Sequence, residues 1–429
     1  MKTESNQLID HLNHIDVNVR LDSLRHLMKR IKLGELEKPI KSKDVNNHIH
    51  TSYSFSPYSP AKAVWMAYAA GLATAGIMDH DSLSGAEEFI EAGRIAGLAT
   101  TIGVECRADF SKTVLNGRRI NNPDQDSVAY VALYGIPHTQ IGKVREFFKP
   151  FTQHRNLRNA KMVGKINKLV KPFGIELDFE KDVVPLSNFS NGGSITERHV
   201  LFALTMKLIE LTGKGLPLTD FLKNKLKLAV NSKVDGFLTD LTNPHYEYDL
   251  LGLLKSELVA CIYIDATDEC PDITEVLRLS DEIGAISAYA YLGDVGDSVT
   301  GDKKTQKFED DFIEELFGLL HQLGFKAVTY MPSRNSMVQL DRVRVLCDKY
   351  SFFQISGEDI NSSRQSFICL ALRNEKFQNL FDATWALVGH ELAATEHINS
   401  SMFSPQTIGK YPSLDQRIKV YSEIGLRMG

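Results

Sequence analysis

A chain of 429 residues, 43% hydrophobic and 24% charged, can bury a sizeable core as one large barrel or two domains. The formal net charge of −5 excludes a global pull towards nucleic acid or anionic membrane, although local basic patches stay open. No stretch approaches the roughly 18 uninterrupted apolar residues of a membrane span, and the N-terminal MKTESNQLIDHLNHID has neither the apolar core nor the cleavage-like site of a secretory signal. Cys106, Cys261, Cys270, Cys347 and Cys369 are scattered, odd in number and never spaced C-x-x-C. That argues against a disulfide framework or structural zinc knuckle and fits a reducing cytoplasm.

Residues 1–44 carry Leu8, Leu12, Val17, Leu21, Leu24, Leu27 and Ile31 at near-helical spacing, a helical extension that Gly34 and Pro39 end. From there short β-rich runs at 45–50, 73–78, 100–104, 128–134, 285–291, 326–330 and 352–355 alternate with amphipathic helices at 60–70, 85–96, 272–283, 309–323 and 338–349. Strand–helix alternation predicts an α/β fold with a parallel sheet and crossover helices, here closed or nearly closed into a barrel. The stretch between Tyr134 and Ala285 is too long for a loop and reads as helical, so 140–258 is expected to be an inserted subdomain. The barrel then has a first part, 45–139, and a second part with C-terminal helices, 259–429.

Polar residues gather just past the carboxyl ends of these predicted strands. The first delivers His48 and His50, the second Asp79-His80-Asp81, the third Glu105 and the seventh Glu358-Asp359-Ile360-Asn361. In parallel barrels and sheets that edge faces one cleft. His-x-His on a strand places both imidazoles on one face, and with carboxylates they make a nitrogen/oxygen site suited to zinc, manganese or iron. An isolated His-x-His would more often be a pair of hydrogen-bonded barrel-mouth histidines; this one has company on three other strands.

The strings HIHTSYSFSPYSP, MDHDS, IGVE and SGEDIN resemble, in that order, the motifs of the PHP (polymerase and histidinol phosphatase) superfamily of metal-dependent phosphoesterases. TERHVLFAL, with His199, resembles a helix start of the branch whose barrel carries a helical insertion. Amidohydrolases also open with His-x-His but lack the DHD turn and the GVE strand end. The resemblance implies a distorted (β/α)7 PHP barrel in which His48, His50, Glu105 and Asp359 share one metal. Glu105 would bridge to a second ion, but the two histidine positions expected there hold Tyr130 and Tyr291. Phe55, His80 and Asn361 occupy the positions of a third, so His80 and Asn361 are the weaker ligands. One or two divalent transition-metal ions (Zn, Mn or Fe) follow. His138, in GIPHTQ, is a conceivable substitute ligand, with an exposed loop histidine as the plainer reading.

The expected activity is hydrolysis of a small phosphorylated substrate, such as a nucleotide or sugar phosphate, by metal-activated water. His80 or His199 would position the water or protonate the leaving group. Phosphate needs cations or free amides: Arg334 is preferred, followed by Arg198 and by Arg158 with Arg155 on a basic helix, whose Lys143, Arg145, Lys149, Lys161, Lys165 and Lys168 read as a solvated face. Asp81 or Ser82 is expected to cap the next helix, Cys106 to be a small buried side chain, and His390 and His397 to lie on a helix away from the cleft. Two alternatives stay open: a degenerate barrel that binds a phosphorylated ligand without hydrolysis, and a nuclease for short oligonucleotides, motivated by the basic helix. No membrane partner and no broad nucleic-acid binding are expected.

Overall fold

The computed structural model describes residues 2–295 and 306–428. The N-terminal extension is two helices, α1 (Lys2–His11) and α2 (Val17–Lys32), where the spacing predicted one. The break comes at Asp16, whose side chain accepts from the Asn18 backbone N–H and starts α2 afresh. Leu12, Leu24, Leu27 and Ile31 join the main hydrophobic core, so the extension packs on the barrel.

In chain order there follow β1 (Val45–Ile49), α3 (Pro60–Ala69), β2 (Thr74–His80), α4 (Ala86–Ala96), β3 (Ala99–Asp109) and β4 (Val128–Tyr134). Next come α5 (Ile141–Val170), α6 (Glu197–Thr212), α7 (Leu216–Asn224), α8 (Ser232–Thr239) and α9 (Tyr246–Ile262). The chain closes with α10 (Ile273–Ile283), β5 (Ile286–Ala290), α11 (Ile313–Leu323), β6 (Ala327–Tyr330), α12 (Met337–Tyr350), β7 (Phe353–Ser356), α13 (Gln378–Glu396), α14 (Pro405–Lys410) and α15 (Leu414–Met428). No described helix is long and apolar enough to cross a membrane.

The seven strands form one sheet in the order β1 to β7. It is mixed, which corrects the all-parallel expectation: β4 runs antiparallel to both β3 and β5, and the other neighbours are parallel. The cause is the connection 110–127, which contains no crossover helix; a chain that returns directly must pair antiparallel. The sheet curls until β1 meets the turn after β7, where His50 N donates to Ile360 O (2.9 Å) and Ile360 N to His48 O (3.1 Å). Gly357 permits this approach, since a Cβ there would lie 2.7 Å from His48 N. Met78, Tyr134, Ala288, Phe353 and Ile355 pack in a cluster with Ala386 and Leu387 of α13, which covers the end of the barrel opposite the strand termini bearing the histidines.

The reversal of β4 has a second effect. It ends beside the first residue of β5, at the far edge of the sheet. α5, 30 residues and roughly 45 Å long, carries the chain back towards the mouth. There α6 to α9 gather round a hydrophobic cluster of their own, with Leu204, Leu208, Tyr246, Leu250 and Leu254 fully buried. The seam between these helices and the barrel is ionic. Arg107 pairs with Glu197 and Glu269, Arg155 with Asp81 and Glu269, and Arg158 with Glu197 and Glu269. Five of the six side chains are at most 6% exposed. Burial opposes ionisation of Glu197 and Glu269, but the arginines outweigh it and hold both below the usual carboxylate range. Breaking a buried pair leaves an uncompensated charge, so Glu269→Ala should lower stability by about 3–5 kcal/mol in equilibrium urea denaturation.

Candidate metal-binding active site

His48 and His50 stand two residues apart on β1 and share a face, with ring centroids 5.0 Å apart. β2 ends at His80, whose register partner on β3 is Glu105. β3 therefore does not stop at Glu105 as expected but runs on to Asp109, because β4 pairs with its extra length. The β1–β7 bridge at Ile360 sets Asp359 beside the β1 histidines.

His50 Nε2 lies 3.1 Å from Asp359 Oδ1, His80 Nδ1 3.2 Å from Glu105 Oε2, and His48 Nε2 3.7 Å from Glu105 Oε1. Two triads, His48–His50–Asp359 and His50–His80–Glu105, each offer ligand atoms within 4.8 Å of one another. Burial pushes His48 down to about 3 and Glu105 up to about 8. It also opposes ionisation of Asp359, but His50 and His48 hold that carboxyl well below its ordinary range. His50 Nε2 is buried without a satisfactory hydrogen bond. Imidazoles and carboxylates converging with ligand atoms this close, His50 Nε2 having only Asp359 Oδ1 beside it, make a donor set that fits a divalent cation. The opposite ring nitrogens have supports: His48 Nδ1 is 3.4 Å from Tyr134 Oη and His50 Nδ1 is 3.4 Å from Ser54 Oγ. Asp79 accepts from Thr51 N, Thr51 Oγ1 and Ser54 Oγ, so it shapes the turn after β1.

The site opens into a cavity of about 320 Å³ whose lining includes His48, His80, Glu105, Asp359, Arg198 and Arg334. Arg334 donates through Nε to Leu292 O (3.1 Å), and burial lowers its pKa. Arg198 Nη1 donates to Asn361 Oδ1 (2.8 Å).

Several expectations are corrected. Arg158 is locked in the seam between Glu197 and Glu269 and does not line the cavity. His199 does not line it either: its Nδ1 accepts from Thr196 N (3.0 Å), capping α6, its ring packs edge-on against Phe55, and burial lowers its pKa to about 3. Asn361 turns its oxygen to Arg198 and an amide N–H to Asp359 Oδ1 (2.6 Å), so it supports the carboxylate and does not face the histidines as a ligand. His138 follows β4 at the opposite edge, half-buried, 2.9 Å from Glu391 Oε1, and cannot reach the site. Neither Asp81 nor Ser82 caps α4; Asp81 pairs with Arg155, and Ser82 Oγ donates to Gly192 O. Tyr130, Tyr291 and Phe55 all line the cavity; Tyr291 also donates to Asp310 Oδ1 (2.5 Å), and Phe55 also packs in the insertion's core. Cys106 is buried, and His390 lies on α13 with His397 at its end.

Two cationic cavity residues have no trace in the sequence reading, Arg107 and Lys255. Arg107 shares the face of Glu105 two positions on, and a longer predicted β3 would have found it. Arg155, a phosphate candidate on the basic helix, does line the cavity but is engaged by Asp81 and Glu269. Lys255 is one lysine on an amphipathic helix, with no signal of its own. The residue is exposed and lines the cavity, where Arg198 and then burial lower its pKa to about 8.

Imidazoles and carboxylates converging at the mouth of a curled seven-stranded α/β sheet define a barrel protein whose site could hold a metal ion. The PHP domain family model matches residues 46–390, and the chain belongs to that family, a membership that supports hydrolase function in general terms. Two solved structures are similar. A candidate metal-dependent phosphoesterase from Bifidobacterium adolescentis is 16% identical, with 78% of this chain and 92% of that one covered and a TM-score of 0.48. An amidohydrolase from Chromobacterium violaceum, with bound sulfate and no metal, is 14% identical, with 76% and 90% covered and a TM-score of 0.48. No curated protein matches the sequence significantly.

His50 belongs to both triads, so His50→Ala should cut metal retained through purification, read by elemental analysis, at least tenfold. Tyr130→Phe should leave it unchanged.

Proposed function

We propose that the protein hydrolyses a phosphoester of a small molecule at this cavity. One juxtaposition carries the reading: the His/carboxylate cluster adjoins Arg198, Lys255 and Arg334, none of which has an ion-pair partner among the described residues. Unneutralised cations beside a metal-type cluster suit a phosphoryl group. His48, His50, Glu105 and Asp359 would hold a divalent transition-metal ion, with His80 able to join them. Such an ion lowers the pKa of water and polarises a phosphoryl oxygen.

The chain's own groups divide the remaining work. Arg334 approaches from the end of β6, and Arg198 and Lys255 from the insertion, so an anion would be held from two sides. His80 is the most exposed of the three clustered histidines, with 23% of its side chain open against 10% and 1%. Burial and the neighbouring His50 and Arg155 keep it neutral, so the role rests on its position at the cavity, where an ionised Glu105 3.2 Å away would support the imidazolium as it takes a proton from the attacking water. With His199 committed to capping, His80 is the proposed proton carrier.

A second reading, a barrel that binds without turnover, draws on Tyr291 being committed to Asp310 and Phe55 to the insertion core. The nuclease reading has less support: on α5, Arg155 and Arg158 are neutralised in the seam, Lys143 pairs with Glu282 and Arg145 with Glu87.

A screen of nucleotides and sugar phosphates with added Mn²⁺, Zn²⁺ or Fe²⁺ tests the proposal, and binding without phosphate release under every condition favours the second reading. On an active substrate, Arg334→Met should raise KM roughly 10- to 100-fold, and His80→Gln should lower kcat about 100-fold or more. Lys255 is cationic below about pH 8 and loses charge above it. Affinity for inorganic phosphate should therefore fall as pH rises through 8, and Lys255→Met should remove that dependence.

A further inference from the structure

Asn361 is the only side chain that touches both Arg198, on the insertion, and a carboxylate of the proposed metal site, among the contacts described. Its Oδ1 accepts from Arg198 Nη1 at 2.8 Å and its Nδ2 donates to Asp359 Oδ1 at 2.6 Å. Asp359 Oδ1 is the oxygen that lies 3.1 Å from His50 Nε2. A carboxamide meets both demands from two separate atoms on one side chain: an aspartate would satisfy Arg198 and repel Asp359, and an apolar residue would satisfy neither. The residue is 6% exposed, so water does not readily replace either bond. Its own backbone is pinned as well, since Asn361 N donates to Gln365 Oε1 at 2.7 Å.

We propose that Asn361 is a positioning residue that couples the anion-binding Arg198 to Asp359, so that the insertion helps set the affinity of the metal site. The inference rests on the reading that Asp359 is a metal ligand. The guanidinium orients the carboxamide, and the carboxamide fixes the rotation of the Asp359 carboxylate, presenting its other lone pairs towards the histidines. Partners of this kind commonly change metal affinity 10- to 100-fold. By reciprocity, anything that engages Arg198 also bears on the metal.

The test is Mn²⁺ binding by isothermal titration calorimetry on the full chain, with thermal melting as the folding control. Asn361→Leu, nearly the same shape without the polar atoms, should weaken Mn²⁺ about tenfold. Arg198→Met removes a positive charge near the ion, which alone would strengthen binding; it also breaks the relay. It should therefore weaken Mn²⁺ several-fold in the natural sequence but leave it unchanged or tighter in the Asn361→Leu background, where the relay is already gone. Equal effects of Arg198→Met in both backgrounds, or unaltered affinity in a folded Asn361→Leu variant, would overturn the coupling while leaving the metal site standing. No Mn²⁺ binding to the natural protein would overturn both.

Discussion

Six charges, five of them buried, hold the two halves of this protein in register. Arg155 and Arg158 come from α5 and Glu197 from α6, while Asp81, Arg107 and Glu269 lie outside the insertion's helices. Desolvating any one of them alone would cost several kcal/mol, and the cost is offset only when three cations and three anions meet together. The seam thus tolerates little sliding. Because Glu197 is bound into it, the adjacent Arg198 is fixed at the cavity, and because Asp81 is bound into it, the adjacent His80 is fixed beside Glu105. Asp81 takes up a left-handed backbone (φ 49°), unusual for a residue with a Cβ, so that these two neighbours point to different partners.

The insertion also braces the turns that carry the proposed ligands. Ser194 Oγ donates to His80 O at 2.6 Å and Ser194 N to Tyr53 O at 2.7 Å, tying the loop before α6 to the turns after β2 and β1. On the β7 side, Arg364 binds Asp249 at 2.5 and 2.7 Å, and His245 Nδ1 meets Ser363 Oγ at 2.8 Å. The barrel brings the ligand residues together, and the insertion restrains the loops that would otherwise let them drift. Cavity cations come from both parts, Arg334 from the barrel and Arg198 with Lys255 from the insertion.

Much of the candidate site could be read along the chain because its proposed ligands fall on strand ends, where strand period and short motifs leave a local trace. His48, His50, His80, Glu105 and Asp359 are such residues. Arg158 and His199 misled for the opposite reason. A buried arginine salted into a network and a histidine capping a helix have the same one-letter neighbourhood as ligand-binding groups, and only their partners, far away in sequence, tell them apart. Lys255 was invisible on the same account: which way one lysine on an amphipathic helix points depends on what the helix packs against.

The sequence by itself determined the strand–helix alternation, the presence of a long helical insertion and the identity of the residues offered at the mouth, because these depend on periodicity and spacing within short windows. Tertiary structure alone decided the direction of β4, the closure of β1 on the turn after β7, and the division of arginines between seam and cavity. Strand direction and charge pairing are set by residues tens to hundreds of positions apart, and the low-dielectric interior makes their meeting decisive.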